Sequence, residues 1–372
     1  MFRIEPAVQR YDWGDPQQLP QLLGFVADGG PYAEAWWGAH PAAPALAGGQ
    51  RLDDVIAAAP AELLGERVVT DFGRLPFLLK VLAISKPLSI QVHPTLEQTE
   101  SIHAAHPDGG SPLADDWHKP EMVVALSPMR LQSGFRAVRD TAADLRLLGG
   151  DEANALADVV ERGDIDEFVE TVLTESDSED LLNRLADVDS GGAGSPVLTA
   201  AANAARIHPG DPGALVALAL NLVELQPGQA MYTGAGVMHC YHHGLGLEIM
   251  ANSDNVLRAG LTTKAINVPL VLELATPVPS EPMLTAHVGD ETSWTYLSPA
   301  QEFSLTIVSE GVGLVHGGPR IVLAVDGGVR IEAAESGLDL AAGQAAFVTD
   351  ADGPVTVTAQ GMAVVASVPL AV

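Results

Sequence analysis

Residues 225–250 read LQPGQAMYTGAGVMHCYHHGLGLEIM. Apolar and polar side chains alternate here, and Pro227, Gly228, Gly234, Gly236, Gly244 and Gly246 punctuate the run. Alternation with frequent turn residues is the pattern of antiparallel β structure. Residues 283–372 continue in the same manner through FSLTIVSE, RIVLAVDGGVRIEA, GPVTVTA and MAVVASV, with Asp-Gly pairs as hairpin signals. A short echo links the two regions: LQPGQAMYT at 225–233 and LAAGQAAFVT at 340–349. Each reads as a glycine-containing turn leading into a strand, which predicts two related β-units. His239 follows the first copy, and no histidine follows the second.

Upstream, LPFLLKVLAISKPLSIQVH (75–93) predicts buried strands broken at Lys86-Pro87. EMVVAL (121–126) and residues 131–136 predict further strands, and LDDVIAAAPAELLG (52–65) a short helix. Residues 1–50 are rich in Gly, Pro and aromatics, with little helical period. From about 140 to 224 the spacing is helical, as in DTAADLRLLGG, ANALADVVERG, IDEFVETVLTE and LTAAANAARIHPG, and nothing in that stretch suggests a site. A chain of 372 residues exceeds one ordinary core, so roughly two or three domains are expected. The expected class is mainly β with an α-helical domain.

The formal net charge of −29 argues against a nucleic-acid partner, whose phosphates need a basic surface. It also repels small anions, so a phosphate ligand requires locally concentrated positive charge. The four lysines, Lys80, Lys86, Lys119 and Lys264, all fall in segments that look chemically specialised. The single cysteine, Cys240, excludes an intramolecular disulfide framework and fits a reducing compartment. The N-terminal MFRIEPAVQRYDWG lacks the features of a signal peptide, and the apolar stretch 75–92 is interrupted by Lys80 and Lys86. A soluble cytoplasmic protein with no membrane partner is expected.

Four segments carry candidate chemistry. On a strand, Gln91 and His93 share a face and present an amide oxygen and an imidazole nitrogen together. In His118-Lys119-Pro120-Glu121, the glutamate opens an apolar strand, a position that can aim a carboxylate into a cavity. In the cluster 239–243, regular alternation places His239, Tyr241 and His243 on one face; His239 is the preferred ligand, Cys240 a small core residue, and His242-His243 reads equally as a turn. Gln91, His93, Glu121 and His239 make a mixed nitrogen and oxygen set that suits zinc with open positions. The fourth segment, 248–264, is a polar run, EIMANSDNVLRAGLTTK, within apolar sequence, and its Arg258 and Lys264 offer donors to an anion.

Together these segments resemble the type I mannose-6-phosphate isomerases. The resemblance runs from Tyr11-Asp12-Trp13-Gly14 and AEAWWGAHP (33–41) through LPFLLKVLAISKPLSIQVHP, HKPEMVVAL and YTGAGVMHCY to EIMANSDNVLRAGLTTKAINV. It covers most of 1–275 except the helical stretch, and the last ninety or so residues match only in character. It implies one Zn2+ per chain, held by Gln91, His93, Glu121 and His239. It implies a double cupin, or jelly-roll, β-sandwich: a catalytic cupin from 1–138 plus 225–280, a helical insertion at 139–224 and a degenerate jelly roll at 281–372. Arg258 is implied near the reacting carbons, with Lys119, Glu248, Asp254 and Lys264 around the pocket. Trp13, Lys80, Ser89 and Tyr241 match pocket or wall positions. The chain departs from the family at Thr263, where proline is usual, and at Ala35 and Trp37, where leucine and methionine are favoured; these departures bear on pocket shape.

The implied reaction interconverts D-mannose 6-phosphate and D-fructose 6-phosphate by moving a proton between C1 and C2 through an enediol. It needs charge stabilisation, for which the metal and Arg258 are candidates, and a base, for which Lys119, Glu248 and Asp254 are candidates. Ser89, Lys80, Lys86, Lys119, Arg258 and Lys264 form the pool of phosphate donors. The rival readings are a metal-dependent cupin enzyme acting on another phosphosugar or as an oxygenase, and a non-enzymatic sugar-binding cupin. A monomer is expected, with a homodimer as the alternative.

Overall fold

The computed structural model describes residues 1–174, 178–189 and 194–370. Its centre is the strand Phe77–Ile84, buried along its length and apolar at every position but Lys80. A strand covered on both faces reads as a near-continuous apolar run. It pairs with Glu34–Gly38 on one side and His239–Ala251 on the other, and the sheet continues through Glu121–Ala125, Ala230–Thr233 and Met283–Thr285. Leu79, Val81 and Ala83 join Met122, Val124, Leu247 and Ile249 in a core shared with the C-terminal unit. Lys80 and Leu82, one residue out of phase, face a cavity on the opposite side.

In the C-terminal unit a seven-stranded sheet contains Ser304–Ser309, Arg320–Asp326, Ala345–Val348 and Met362–Ser367, and a four-stranded sheet contains Val312–Val315, Val329–Glu332, Gly337–Leu340 and Val355–Ala359. The units exchange edges: Phe2–Ile4 pairs with Ala345–Val348, and Met283–Thr285 pairs with Ala230–Thr233.

The repeated sequence is a repeated turn. Gln226 N–H donates to the Gln229 side-chain oxygen at 2.8 Å, and Ala341 N–H donates to that of Gln344 at 3.0 Å. Gly228 N–H bonds the Ala125 carbonyl (2.8 Å) as Gly343 N–H bonds that of Ala324 (2.7 Å). Both glycines have positive φ, +85° and +80°, which favours glycine there. In this register Glu121, opposite Thr233, corresponds to Arg320, opposite Val348.

Helices Val138–Leu148, Asp151–Glu161, Ile165–Thr174, Glu179–Ala186 and Pro196–Ile207 bury their apolar faces in one cluster. Within the stretch expected to be helical, Leu220–Leu225 is instead a strand paired with Met129–Phe135. The expected helix at 52–65 is two, Leu52–Ala58 and Pro60–Leu64, the second begun by its proline.

Strict alternation through 239–243 does not hold, and 242–243 is not a turn. The register shifts between Tyr241 and His243, leaving His242 as an inserted residue, and Gly244 follows with φ +122°. An extra residue reverses the parity of a strand. His239 and Tyr241 before the bulge, and Glu248 and Met250 after it, therefore line the same cavity. His243 is exposed, while buried His242 donates to Gln132 Oε1 at 2.9 Å.

Candidate metal centre and active site

His93, Glu121 and His239 converge beneath the cavity, each offering a ligand atom within 4.8 Å of the others. Three elements deliver them. Glu121 opens its strand, His93 follows the short strand Gln91–Val92, and His239 begins the long strand. Gln91 lies opposite both His239 and Arg258 in register and lines the cavity.

Backbone carbonyls fix both imidazoles. His93 Nδ1 bonds the Asn255 carbonyl (2.8 Å) and His239 Nδ1 that of Val237 (2.9 Å). These bonds place the ring protons on Nδ1, so each Nε2 presents a lone pair. His239 Nε2 lies 2.9 Å from Glu121 Oε1, and buried His93 Nε2 lies 3.4 Å from Glu121 Oε2 without a hydrogen-bond partner. Two lone-pair nitrogens turned toward a buried carboxylate repel unless a cation lies among them. Burial, reinforced by the Lys119 charge, pushes the His93 pKa down to about 4 and keeps the ring neutral as a ligand. Burial opposes ionisation of Glu121, but the Lys119 charge holds it well below the usual carboxylate range. Lys119 Nζ donates to Glu121 Oε2 at 2.9 Å and Tyr241 Oη donates to Oε1 at 3.2 Å. The donor set and its burial fit zinc.

Above the ligands opens a cavity of about 1020 Å³. Every residue expected at the site lines it except His93, which lies fully buried behind Glu121 and His239. Lys80 Nζ is 3.0 Å from Glu248 Oε2 and 3.9 Å from Glu34 Oε2. Its ammonium stands 4.9 Å from the Trp36 ring centre. Burial works against the Lys80 charge, but the two glutamates raise its pKa, so Lys80 is a neutralised wall group. Lys86 and Lys264 are exposed at the rim, and Arg258 is half-buried. Asp254 accepts from buried His40 at 3.2 Å, and this contact holds its carboxyl below the usual range against partial burial.

Glu34, Trp36, His40 and the loop 207–212 also line the cavity without having been assigned roles from sequence. The polar Glu34 and His40 in an otherwise apolar segment were an available signal. The loop had none: HPGDPG reads only as the end of a helix. It reaches the site because the backbones of Gly213 and Gly260 meet; a Cβ on Gly260 would lie 2.3 Å from the Gly213 Cα. The helical region thus contributes a wall. Ala35 and Trp37 point away from the cavity into the shared core, so this departure from the family pattern leaves the pocket wall unchanged; Thr263 does line the cavity.

A double β-sandwich with two histidines and a glutamate converging at the floor of a cavity defines a metal-binding cupin enzyme. The profile described as phosphomannose isomerase type I, catalytic domain, matches residues 1–138. The mannose-6-phosphate isomerase of Escherichia coli is 34% identical over 97% of this chain and 98% of its own length, and that of Mus musculus is 32% identical over 82% and 81%. A solved phosphomannose isomerase variant from Salmonella typhimurium superposes with a TM-score of 0.91 at 30% identity, covering both chains fully. A mannose 6-phosphate isomerase solved with zinc and yttrium gives 0.89 at 31% identity over 99% of each chain. The chain belongs to the type I mannose-6-phosphate isomerase family.

Proposed function

We propose that this chain is a zinc-dependent isomerase that interconverts D-mannose 6-phosphate and D-fructose 6-phosphate. The observation that carries this reading is the pair of imidazoles, locked with Nε2 lone pairs turned toward Glu121. Gln91, His93, Glu121 and His239 would hold one zinc ion. When bound, zinc supplies Lewis acidity that stabilises negative charge on the sugar's oxygens.

Arg258 faces the cavity from the strand paired with Gln91 and stabilises the enediolate from a second side. Of the three candidate bases, Lys119 donates to Glu121 and Glu248 accepts from Lys80. Asp254 is held ionised by His40 while its side chain remains 55% exposed, so Asp254 moves the proton between C1 and C2. Lys86, Lys264 and Ser89 receive the phosphate; Lys80, already neutralised, leaves that pool. Trp13 and Tyr241 form the walls, Trp13 stacking on Tyr11 at 5.8 Å.

We assign the catalytic cupin to 1–138 plus 225–280, the helical insertion to 139–224 and the degenerate jelly roll to 281–372. The protein acts as a monomer in the cytoplasm; no described helix is long and apolar enough to cross a membrane. Light scattering tests the monomer. A coupled assay of mannose 6-phosphate conversion, run before and after chelation with zinc restored, tests the function. Activity lost to chelator and regained with zinc is expected; a folded, zinc-loaded sample without turnover overturns the reading.

A further inference from the structure

The C-terminal unit reaches the catalytic unit through a buried carboxylate. Glu302, 3% exposed, precedes the strand Ser304–Ser309 and crosses to the segment that leads into Glu121. Its Oε1 accepts from Trp117 Nε1 at 3.1 Å and from His118 Nε2 at 2.6 Å, and its Oε2 accepts from Gln301 N–H at 3.1 Å. Burial opposes its ionisation, yet the bond to His118 keeps its carboxyl below the usual range. A carboxylate this buried is costly unless its acceptors are used, and here both oxygens are used.

The segment that Glu302 holds is connected to the metal centre twice. Along the chain, Lys119 and Glu121 follow His118 directly. Through space, the Trp117 carbonyl accepts from Asn255 Nδ2 at 2.8 Å and from Ser253 Oγ at 3.0 Å. The Asn255 carbonyl in turn fixes His93 Nδ1 at 2.8 Å. Hydrogen bonds joined through Trp117 and Asn255 therefore link the C-terminal unit to one ligand, and the covalent chain runs to another.

We propose that Glu302 is a positioning residue for the metal centre, through which the C-terminal unit sets Lys119, Glu121 and His93. This rests on the zinc-isomerase reading. Groups that orient metal ligands are typically worth 10–100-fold in affinity or activity, and Glu302 acts one group further out, so an effect of about tenfold is expected.

A natural control exists. Tyr296, also in the C-terminal unit, donates its hydroxyl to the Gly228 carbonyl at 2.6 Å, a bond between the same units with no connection to Trp117 or Asn255. Glu302→Ala, Glu302→Gln and Tyr296→Phe should be compared for zinc dissociation constant, kcat, KM and Tm. Glu302→Ala is expected to weaken zinc about tenfold and to lower kcat with little change in KM. Glu302→Gln, which keeps an acceptor oxygen, should recover part of both. Tyr296→Phe should lower Tm while leaving zinc affinity and kcat unchanged. If Glu302→Ala merely lowers Tm, or if Tyr296→Phe moves zinc affinity equally, Glu302 is only a tie between units. Should Glu302→Ala not fold, unchanged zinc affinity in Glu302→Gln overturns the proposal. Zinc affinity is read without substrate, so a wild-type protein inactive on mannose 6-phosphate would overturn the functional reading alone.

Discussion

The two β-units share a turn and a register but treat one position in opposite ways. At the strand position where the catalytic unit has Glu121, the C-terminal unit has Arg320, fully buried. Glu121 sits among imidazoles. Arg320 donates to the carbonyls of His316 (2.6 Å), Gly353 (2.7 Å) and Thr349 (2.5 Å). Burial brings its pKa down to about 10, with Asp352 and Asp350 opposing, so it remains a cation. One unit leaves a negative hollow for a metal, and the other fills the equivalent place with its own positive charge. The same scaffold thus places a metal-facing carboxylate at this position in one unit, and in the other a cation tied down by backbone carbonyls.

The largest test of this contrast removes the carboxylate. Glu121→Ala should abolish stoichiometric zinc binding, measured by metal analysis, and lower turnover by more than about 100-fold, beyond what outer partners of a ligand contribute. Next comes Arg258→Ala, which should lower kcat by about 10²-fold, in the range of a lost oxyanion donor, while zinc content stays unchanged. Arg320→Ala should do the reverse. It leaves three carbonyls, the buried one of Thr349 among them, without their donor and should cost roughly 3 kcal/mol in chemical denaturation, with kcat and zinc content intact. Arg320→Glu sharpens the comparison further: with no pair of imidazoles converging on it as His93 and His239 converge on Glu121, the new carboxylate should bind no second zinc. If a second zinc does appear, the contrast fails.

The smallest effect concerns pH. The Glu302 carboxyl is held below its ordinary value of 4.5 in the folded protein. A depressed carboxyl contributes stability that is present above the unfolded value and lost as pH falls through the folded value. The wild-type Tm should therefore fall more steeply than that of Glu302→Gln below about pH 4.5. Parallel curves would show that Glu302 is not ionised in its buried place.

What was legible in the sequence follows from which forces act locally. The run around Phe77–Ile84 announced a strand because each residue but Lys80 is apolar. Gln91, His93, Glu121 and His239 stood out as polar groups in apolar surroundings, and family motifs supplied the pocket residues around them. The bulge at His242 was hidden because it depends on pairing with Met129–Phe135 rather than on any turn residue before it. The loop 207–212 reaches the cavity only through the contact of Gly213 with Gly260, a tertiary event without a local signature. Glu302 looked like one acid among many in a chain of net charge −29; its partners lie at Trp117 and His118, far away in sequence.

The distribution of amines has a practical consequence. Lys80 and Lys119 are buried and ion-paired, and the Met1 amine is paired with Asp352 in a nearly buried position. Lys86 and Lys264, the remaining lysines, are both exposed at the cavity mouth. An acylating reagent that acts on accessible amines, an ordinary way to attach dyes or tether proteins to beads, would therefore decorate this molecule at its entrance. Immobilisation by that chemistry would turn the mouth toward the support, whereas a fluorophore attached in the same way would stand where substrate arrives and report its passage.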